Sequence, residues 1–181
     1  GKRVTNVIGV VLADRGKVGP YGNYKEIYIQ NPNFDDDERT SEGIKIWTEN
    51  NFQVKRGDLI LVKEGIVCED KNNPTQYEEY WSGNLTRTQI NTNSSNITIL
   101  SSGNMMPKPI LLGKDGKKIP DTIVCNDAYN YDLNNPNTFF DPEEDAIDFY
   151  ESLEGMLVEV RNALVVGPYN EYDELYIIPN K

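Results

Sequence analysis

Oxygen-bearing side chains are concentrated in one acidic loop in the first third of the chain. Amides and carboxylates recur there at alternate positions and end with an acid at the twelfth: Asn31, Asn33, Asp35, Asp37 and Glu42. Ca²⁺ takes about six to eight oxygen ligands, and calcium-binding loops space them in a similar way. The match is partial, because Asn31 stands where Asp is usual and Asp36 where glycine is usual. The spacing predicts either a calcium site or a solvated acidic loop that blocks strand pairing at a sheet edge.

A second acidic stretch repeats this spacing less completely. Counting from Asn130 gives a set that again ends at the twelfth position: Asn130, Asp132, Asn134 and Asp141. The same two alternatives apply to this stretch, a bound cation or a solvated loop. Ca²⁺ is thus the one ion that the sequence suggests, and we expect no cofactor to be required.

The chain contains no histidine. This excludes Ser-His and Cys-His nucleophilic systems, His-ligated metals and the usual general base at neutral pH. Paired carboxylates such as Glu143 and Asp145 remain. Acids are common in the first turn of a helix because they interact favourably with the helix dipole. We therefore expect no catalysis by this chain itself.

A third group of residues has the side-chain types that bind nucleic acid. Aromatic rings stack on bases, and basic groups neutralise phosphates. The candidates lie in or beside the predicted strands: Tyr28, Lys45, Trp47, Lys55, Arg56 and Trp81. The alternative is that half of these aromatic residues belong to the core. The net charge is −11, and residues 104–181 carry six basic and fifteen acidic groups. Any nucleic-acid contact is therefore either confined to the first part or bridged by cations, and it is weak and salt-sensitive.

Short alternating apolar runs indicate the elements that would position these residues. Period-two alternation predicts half-buried strands at 4–13, 27–30, 44–47 and 59–68, with Gly9 at a bulge or a close approach. Residues 85–90 and 97–100, separated by a loop over 91–96, form a last strand or a last pair of strands. The second and third runs form a hairpin around the acidic loop. Five strands in about 100 residues predict a mostly all-β fold, an OB-fold-like Greek-key β-barrel over residues 1–103. The alternative is a sandwich with a similar number of strands.

The rest of the chain predicts an additional helix and hairpin. Residues 104–142 have the composition of a linker followed by an Asn/Asp-rich loop. An amphipathic helix begins after Pro142 and ends at Gly155. Together with a β-hairpin it makes up a third segment, residues 143–181. A long strand over 156–166 and its partner over 174–178 follow.

An internal repeat links the two ends of the chain. Val18-Gly-Pro-Tyr-Gly-Asn-Tyr-Lys-Glu-Ile-Tyr-Ile matches Val166-Gly-Pro-Tyr-Asn-Glu-Tyr-Asp-Glu-Leu-Tyr-Ile. The simplest account is one strand–turn–strand unit used twice. The second copy either begins a second, truncated barrel or adds strands to one compact unit.

Three further features bear on the cellular context. No run of 18 apolar residues exists, so we expect no membrane span. The chain begins Gly-Lys without Met, which suggests a piece of a larger protein. Cys68 and Cys125 each end a β-type run, and they either pair in an exported protein or serve as small buried hydrophobes.

Several motifs together resemble a known family. They are Gly9-Val-Val-Leu-Ala-Asp, Ile27-Tyr-Ile-Gln-Asn-Pro, Asp35-Asp-Asp-Glu-Arg-Thr-Ser-Glu-Gly-Ile, Val54-Lys-Arg-Gly-Asp-Leu and Phe149-Tyr-Glu-Ser-Leu-Glu-Gly-Met. This pattern resembles the OB-fold-like region of bacterial secreted nucleases, where it accompanies an endonuclease/exonuclease/phosphatase catalytic domain. The resemblance covers most of residues 4–178.

The resemblance implies a non-catalytic accessory module of an extracellular or cell-surface nuclease. Its partners would be single-stranded or duplex nucleic acid and the catalytic domain of the same parent chain. That catalytic domain needs histidines, which this chain lacks. The alternative is a structural or cell-surface interaction module, stabilised by calcium, with no nucleic-acid binding.

Overall fold

The computed structural model describes residues 1–18, 20–35, 37, 39–70, 86–126, 139–169 and 175–179. The chain divides into two compact units. The first unit comprises Gly1–Asp36, Ser41–Pro107 and Glu154–Met156, and the second comprises Asp37–Thr40, Lys108–Leu153 and Leu157–Lys181. The main boundary thus follows Pro107, and the short segment 154–156 belongs to the first unit although it is distant in sequence.

Six strands make up the first unit. They are β1 (Lys2–Val18), β2 (Tyr24–Gln30), β3 (Gly43–Glu49), β4 (Leu59–Asp70), β5 (Arg87–Asn91) and β6 (Ile97–Ser101), with single 3₁₀ turns at Pro20–Gly22 and Ser94–Asn96. They form one sheet in the order β1-β2-β3-β5-β4-β6, and β1 also pairs with β4. Because β1 pairs on both sides, the sheet closes on itself as a ring. The β3–β5 pair is parallel and the other pairs are antiparallel.

The core of the first unit follows the predicted alternation. Every second side chain of β2 and β3 is buried inside the ring, and the cluster consists of Val11, Ile27, Ile29, Ile46, Ile60, Val62, Ile90 and Ile97. β-branched residues suit this environment because they pack well on a pleated surface. The predicted hairpin is confirmed, with Ile27 opposite Ile46 and Ile29 opposite Ile44. The described chain is mostly β, as the alternation predicts.

Gly9 marks a close approach rather than a bulge. A Cβ added at Gly9 would lie 3.0 Å from the Cβ of Ile29. The irregularities of β1 instead fall between Val11 and Ala13 and between Gly16 and Val18. These shifts bend the long strand so that it can pair with both β2 and β4.

The second unit contains short elements. They are β7 (Ile110–Leu112), α1 (Ala146–Glu151), β8 (Val158–Val160), β9 (Leu164–Val165) and β10 (Ile177–Ile178). β7 pairs with β8 in parallel, and β9 and β10 form a separate antiparallel sheet. No helix in the described part of the chain is long and apolar enough to cross a membrane.

Three sequence predictions for the second unit are wrong in detail. Residues 104–142 are not only linker, because β7 lies within them. The helix begins at Ala146 rather than after Pro142, since the N–H groups of Glu144 and Asp145 both donate to the carbonyl of Asp141 in a preceding turn. The predicted long strand is broken between β8 and β9, where Asn162 has a positive φ of 49°.

The two cysteines lie in different units. Cys68 lies on β4 of the first unit, and Cys125 lies in the second unit. Each is partly buried.

Candidate functional site

The outward side of β2 and β3 gathers polar and aromatic side chains. Because successive side chains alternate across a strand, the residues between the core positions point out of the ring. We call this surface the β2–β3 face, and it consists of Tyr24, Glu26, Tyr28, Lys45 and Trp47. Register places Tyr28 opposite Lys45 and Glu26 opposite Trp47. Three of the predicted nucleic-acid residues, Tyr28, Lys45 and Trp47, are therefore brought together.

Two aromatic rings of this face are stacked on each other. The ring centroids of Tyr24 and Trp47 lie 5.1 Å apart with an interplanar angle of 19°. Both side chains are partly exposed. Offset stacking of this kind contributes about 0.5–1.5 kcal/mol beyond area burial. The pair therefore forms a rigid, flat, apolar platform at the surface.

The basic groups of the same face are already paired with acids. The Lys45 Nζ lies 2.7 Å from the Asp70 Oδ2 and 3.5 Å from the Glu26 Oε1, and Lys45 is only 2% exposed. Arg87 contacts the same Asp70 oxygen at 3.2 Å. Arg15 lies 3.9 Å from Glu26. The charge on this face is thus largely balanced within the protein.

Two titratable groups around the face have raised pKa values. Burial raises the pKa of the Tyr28 phenol, and the negative charge of Glu26 adds to this, so the hydroxyl remains a hydrogen-bond donor at neutral pH. Burial likewise raises the pKa of Glu154. Both Glu154 carboxylate oxygens accept the Thr88 backbone N–H at 3.1 Å, and this hydrogen bond opposes the rise. Glu154 is therefore a partly desolvated acid fixed at the start of β5.

Two other predicted nucleic-acid residues, Lys55 and Arg56, do not belong to the β2–β3 face. They are exposed in the turn that precedes β4, where the backbone N–H of Lys55 donates to the Asp58 Oδ2 at 2.9 Å. Trp81 lies outside the described residues, as do Tyr77 and Tyr80.

Several residues around the face are absent from the set of sites predicted from sequence. Tyr24 continues the alternation of Tyr28, so the period-two pattern of β2 was a sufficient signal. Asp70 and Arg87 come from β4 and β5, and only strand register shows that they reach Lys45. No local pattern in the sequence indicates this pairing.

The acidic loop uses its own side chains to hold its backbone. The Asn33 N–H donates to the Asn31 Oδ1 at 3.1 Å, and the Asp35 N–H donates to the Glu42 Oε1 at 3.1 Å. Asn31 and Glu42 are also joined, because the Asn31 N–H donates to the Glu42 carbonyl at 2.9 Å. Side-chain amides and carboxylates commonly stabilise loops in this way. Two of the five predicted calcium ligands, Asn31 and Glu42, therefore already use a side-chain oxygen to stabilise the loop.

Asp37, a third predicted ligand of this loop, forms a local ion pair with Arg39. The Arg39 guanidinium donates to both Asp37 oxygens, at 3.0 and 3.1 Å, and these hydrogen bonds lower the pKa of that carboxyl. Both side chains are exposed.

A different acidic group lies in the second unit. Within the described ranges, Asp141, Asp145 and Asp148 are the one set of three acids whose ligand atoms all lie within 4.8 Å of one another. Asp141 ends the second predicted calcium loop, whereas Asn130, Asp132 and Asn134 lie outside the described residues.

Comparison with known proteins gives one match. Residues 110–181 match a family model described as a domain of unknown function, DUF8508. This match covers less than half of the chain and begins with β7. No curated protein and no solved structure matches the chain.

Proposed function

We propose that the first unit is an OB-type barrel that serves as a non-catalytic nucleic-acid-positioning module of a larger secreted nuclease. OB folds are five-stranded Greek-key barrels. In the first unit, β1 to β5 close into a ring through the β1–β4 pair, which supports this identification. OB folds bind oligonucleotides on the face of their second and third strands and on the adjoining loops. The β2–β3 face is the corresponding surface here.

The stacked pair of Tyr24 and Trp47 is the observation that carries the proposal. Stacking of a base on an aromatic side chain is worth about 1–3 kcal/mol and tolerates any sequence, because every base has a π-face. A preformed platform loses little side-chain entropy when a base lands on it. The connection between β4 and β5 also carries aromatic residues, Tyr77, Tyr80 and Trp81, and OB modules use this loop for binding.

The charge pairing determines what kind of binding this face supports. Lys45 is neutralised by Asp70 and Glu26, so it offers little attraction to a phosphate. Lys55 and Arg56, in the turn before β4, are exposed basic residues that are available for phosphate contacts. Binding would therefore be weak, would derive mainly from stacking, and would have a shallow dependence on salt.

A titration of labelled single-stranded DNA, followed by fluorescence anisotropy, tests the proposal. It is done at low and near-physiological ionic strength, with and without calcium. We expect weak binding that Trp47→Ala reduces by roughly tenfold or more, since one stacked base is lost. Tyr150→Ala is the matched control, because Tyr150 is an exposed aromatic residue of the second unit. Absence of binding in every condition would remove the nucleic-acid role.

The second candidate is a docking module that binds no nucleic acid. It is favoured by the burial of the Lys45 network, because a face whose charges are satisfied internally suits contact with a protein surface. In this case the isolated chain would bind the catalytic domain of its parent. Binding that survives high salt would indicate apolar docking, since salt screens exposed charges.

The resemblance to secreted nucleases supports both candidates equally. It implies a module outside the cell, beside a catalytic domain in the same parent protein. Co-purification of this chain with the catalytic domain, done for the wild type and for Trp47→Ala, distinguishes the two candidate functions. Loss of DNA binding with retained docking would indicate that the two roles use different surfaces.

A further inference from the structure

Three aspartates of the second unit converge within one short segment. Asp141 precedes α1, Asp145 is its N-cap residue, and Asp148 lies in its first turn. Their ligand oxygens all lie within 4.8 Å of one another. The Asp141 N–H donates to the Asp148 Oδ2 at 2.9 Å, which draws the two ends of the segment together. Three carboxylates therefore share a space that is small enough for one ion.

Asp145 gives an independent indication of a ligand. Its side chain is fully buried, at 0% exposure. One carboxylate oxygen, Oδ2, accepts the Asn126 backbone N–H at 3.1 Å. The other oxygen, Oδ1, is buried and has no hydrogen-bond partner. A buried carboxylate oxygen without a partner is costly, and such charges are normally paired or coordinate a metal.

No cation in the described part of the chain pairs with Asp145 or Asp148, although Asp148 is also buried. Two buried carboxylates and a third beside them repel one another strongly at neutral pH. A divalent cation would remove this repulsion and complete the coordination of the Asp145 Oδ1. These carboxylates therefore favour a cation that prefers oxygen ligands.

We propose that Asp141, Asp145 and Asp148 bind one divalent cation, with Ca²⁺ preferred over Mg²⁺. Ca²⁺ binds oxygen at about 2.3–2.6 Å, so two of its ligands lie up to about 5 Å apart. Mg²⁺ binds at about 2.0–2.1 Å and limits that separation to about 4.2 Å. The carboxylate oxygens all lie within 4.8 Å of one another, which is inside the span of two Ca²⁺ ligands. Mg²⁺ also demands near-ideal octahedral geometry and gives up its waters reluctantly, whereas Ca²⁺ accepts a flexible set of oxygens. Water or backbone carbonyls would supply its remaining ligands.

The ion would stabilise the connection between two parts of the second unit. The Ala146 and Ile147 N–H groups donate to the Ile123 and Val124 carbonyls, each at 3.1 Å. Asp145 adds its contact with Asn126 to the same junction. Binding at Asp145 would therefore hold α1 against residues 123–126 as well as neutralise the acids.

Isothermal titration of the chelator-treated full chain with CaCl₂, and separately with MgCl₂, tests this proposal. We expect one Ca²⁺ site, weaker binding of Mg²⁺, and a thermal midpoint that rises with Ca²⁺ because the ion binds the folded state. Asp145→Asn should weaken Ca²⁺ binding by at least about tenfold, since it removes a ligand charge. Glu144→Gln is the matched control, because it removes the same charge at an exposed neighbouring position.

Further variants separate this site from the others. Asp148→Asn provides a second removal of a ligand if Asp145→Asn does not fold, as judged by circular dichroism. Asp35→Asn, in the acidic loop, should leave the Ca²⁺ affinity unchanged. Failure of the wild-type chain to bind Ca²⁺, or equal loss in Asp145→Asn and Glu144→Gln, would overturn the site. DNA binding by the β2–β3 face should be the same in Asp145→Asn, so the two proposals can fail separately.

Discussion

The repeated strand–turn–strand sequence has opposite burial in its two copies. In the first copy, Ile27 and Ile29 are 0% and 1% exposed. Their counterparts in the second copy, Leu175 and Ile177, are 53% and 42% exposed. Similar residue types in the same order are therefore core in one unit and surface in the other.

The difference lies in what pairs with each copy. β2 lies between β1 and β3 in a closed ring, and it pairs with β3 through seven residue pairs. β10 pairs with β9 through only two residue pairs, Ile177 with Val165 and Ile178 with Leu164. The registers also differ. Ile29 pairs with Val11, eighteen residues earlier in the chain, whereas its counterpart Ile177 pairs with Val165, twelve residues earlier. Burial is thus set by the neighbouring strands, because one hairpin alone cannot cover its own apolar side.

The largest effect that would test this comparison is removal of one apolar side chain from each copy. Ile27→Ala should destabilise the first unit by about 4 kcal/mol, because it leaves a cavity in a closed core. Leu175→Ala should cost less than about 1 kcal/mol, because Leu175 is exposed. Hydrogen exchange, measured separately for the two units, gives both values. Equal losses would show that the second copy is as well covered as the first.

The second test compares a buried ion pair with an exposed one. Lys45→Ala removes a close cation from Asp70 and Glu26, leaves the buried Glu26 with Arg15 at 3.9 Å, and should cost about 3 kcal/mol. Arg161→Ala breaks the exposed pair with Glu159 and should cause no measurable change. Urea unfolding at low and high salt measures both. A large effect of Arg161→Ala, or none of Lys45→Ala, would contradict the assigned burial.

The third test compares two close approaches to glycine. A Cβ at Gly43 would collide with the backbone carbonyl of Gly155, so Gly43→Ala should cost about 2 kcal/mol as the backbone shifts. A Cβ at Gly167 would meet the Tyr176 Cδ2 at 3.2 Å, and that exposed ring can move away. Gly167→Ala should therefore be nearly neutral. Thermal unfolding measures the loss of stability in both variants. A larger loss in Gly167→Ala than in Gly43→Ala would contradict this order.

The smallest expected effect is a difference in pH dependence. Because burial raises the pKa of Glu154 above its usual 4.5, the folded state keeps this proton longer than the unfolded state. Stability from this group is full below about pH 4.5 and is lost as the pH rises through the raised folded value. Glu154→Gln should remove this decline, which we expect to be below about 1 kcal/mol. Urea midpoints of the wild type and of Glu154→Gln, measured across this pH range, test the prediction. A parallel decline of the two proteins with rising pH would contradict it.

Asp37 provides the opposite sign at an exposed position. Its pKa is lowered by Arg39, so any stability it provides is present above its usual 3.8 and is lost as the pH falls. Asp37→Asn should therefore lower the urea midpoints slightly above about pH 4.5, and this difference should disappear as the pH falls. The effect stays small because both side chains of the ion pair are exposed. Identical midpoints of variant and wild type over the whole pH range would show that this ion pair adds no stability.

Much of the fold and part of the candidate site follow from local sequence patterns. Alternation in Ile27–Gln30 and Ile44–Trp47 predicts the hairpin, because side chains on a strand alternate with a period of two. The same alternation puts Tyr28, Lys45 and Trp47 on one side, opposite the core. The absence of histidine excludes whole classes of catalysis without any structure. These features depend only on neighbouring residues or on composition, which the sequence contains directly.

Tertiary structure decided the pairings that span long distances in sequence. Register brings Asp70 and Arg87 to Lys45 and so converts a predicted phosphate contact into an internal ion pair. Folding of the chain around α1 buries Asp145 with an unpartnered oxygen, although its spacing looked like an ordinary helix start. Strand partners bury Ile29 and leave Ile177 exposed. Burial and charge pairing are properties of neighbours in space, and a period of two residues cannot specify which distant strand supplies them.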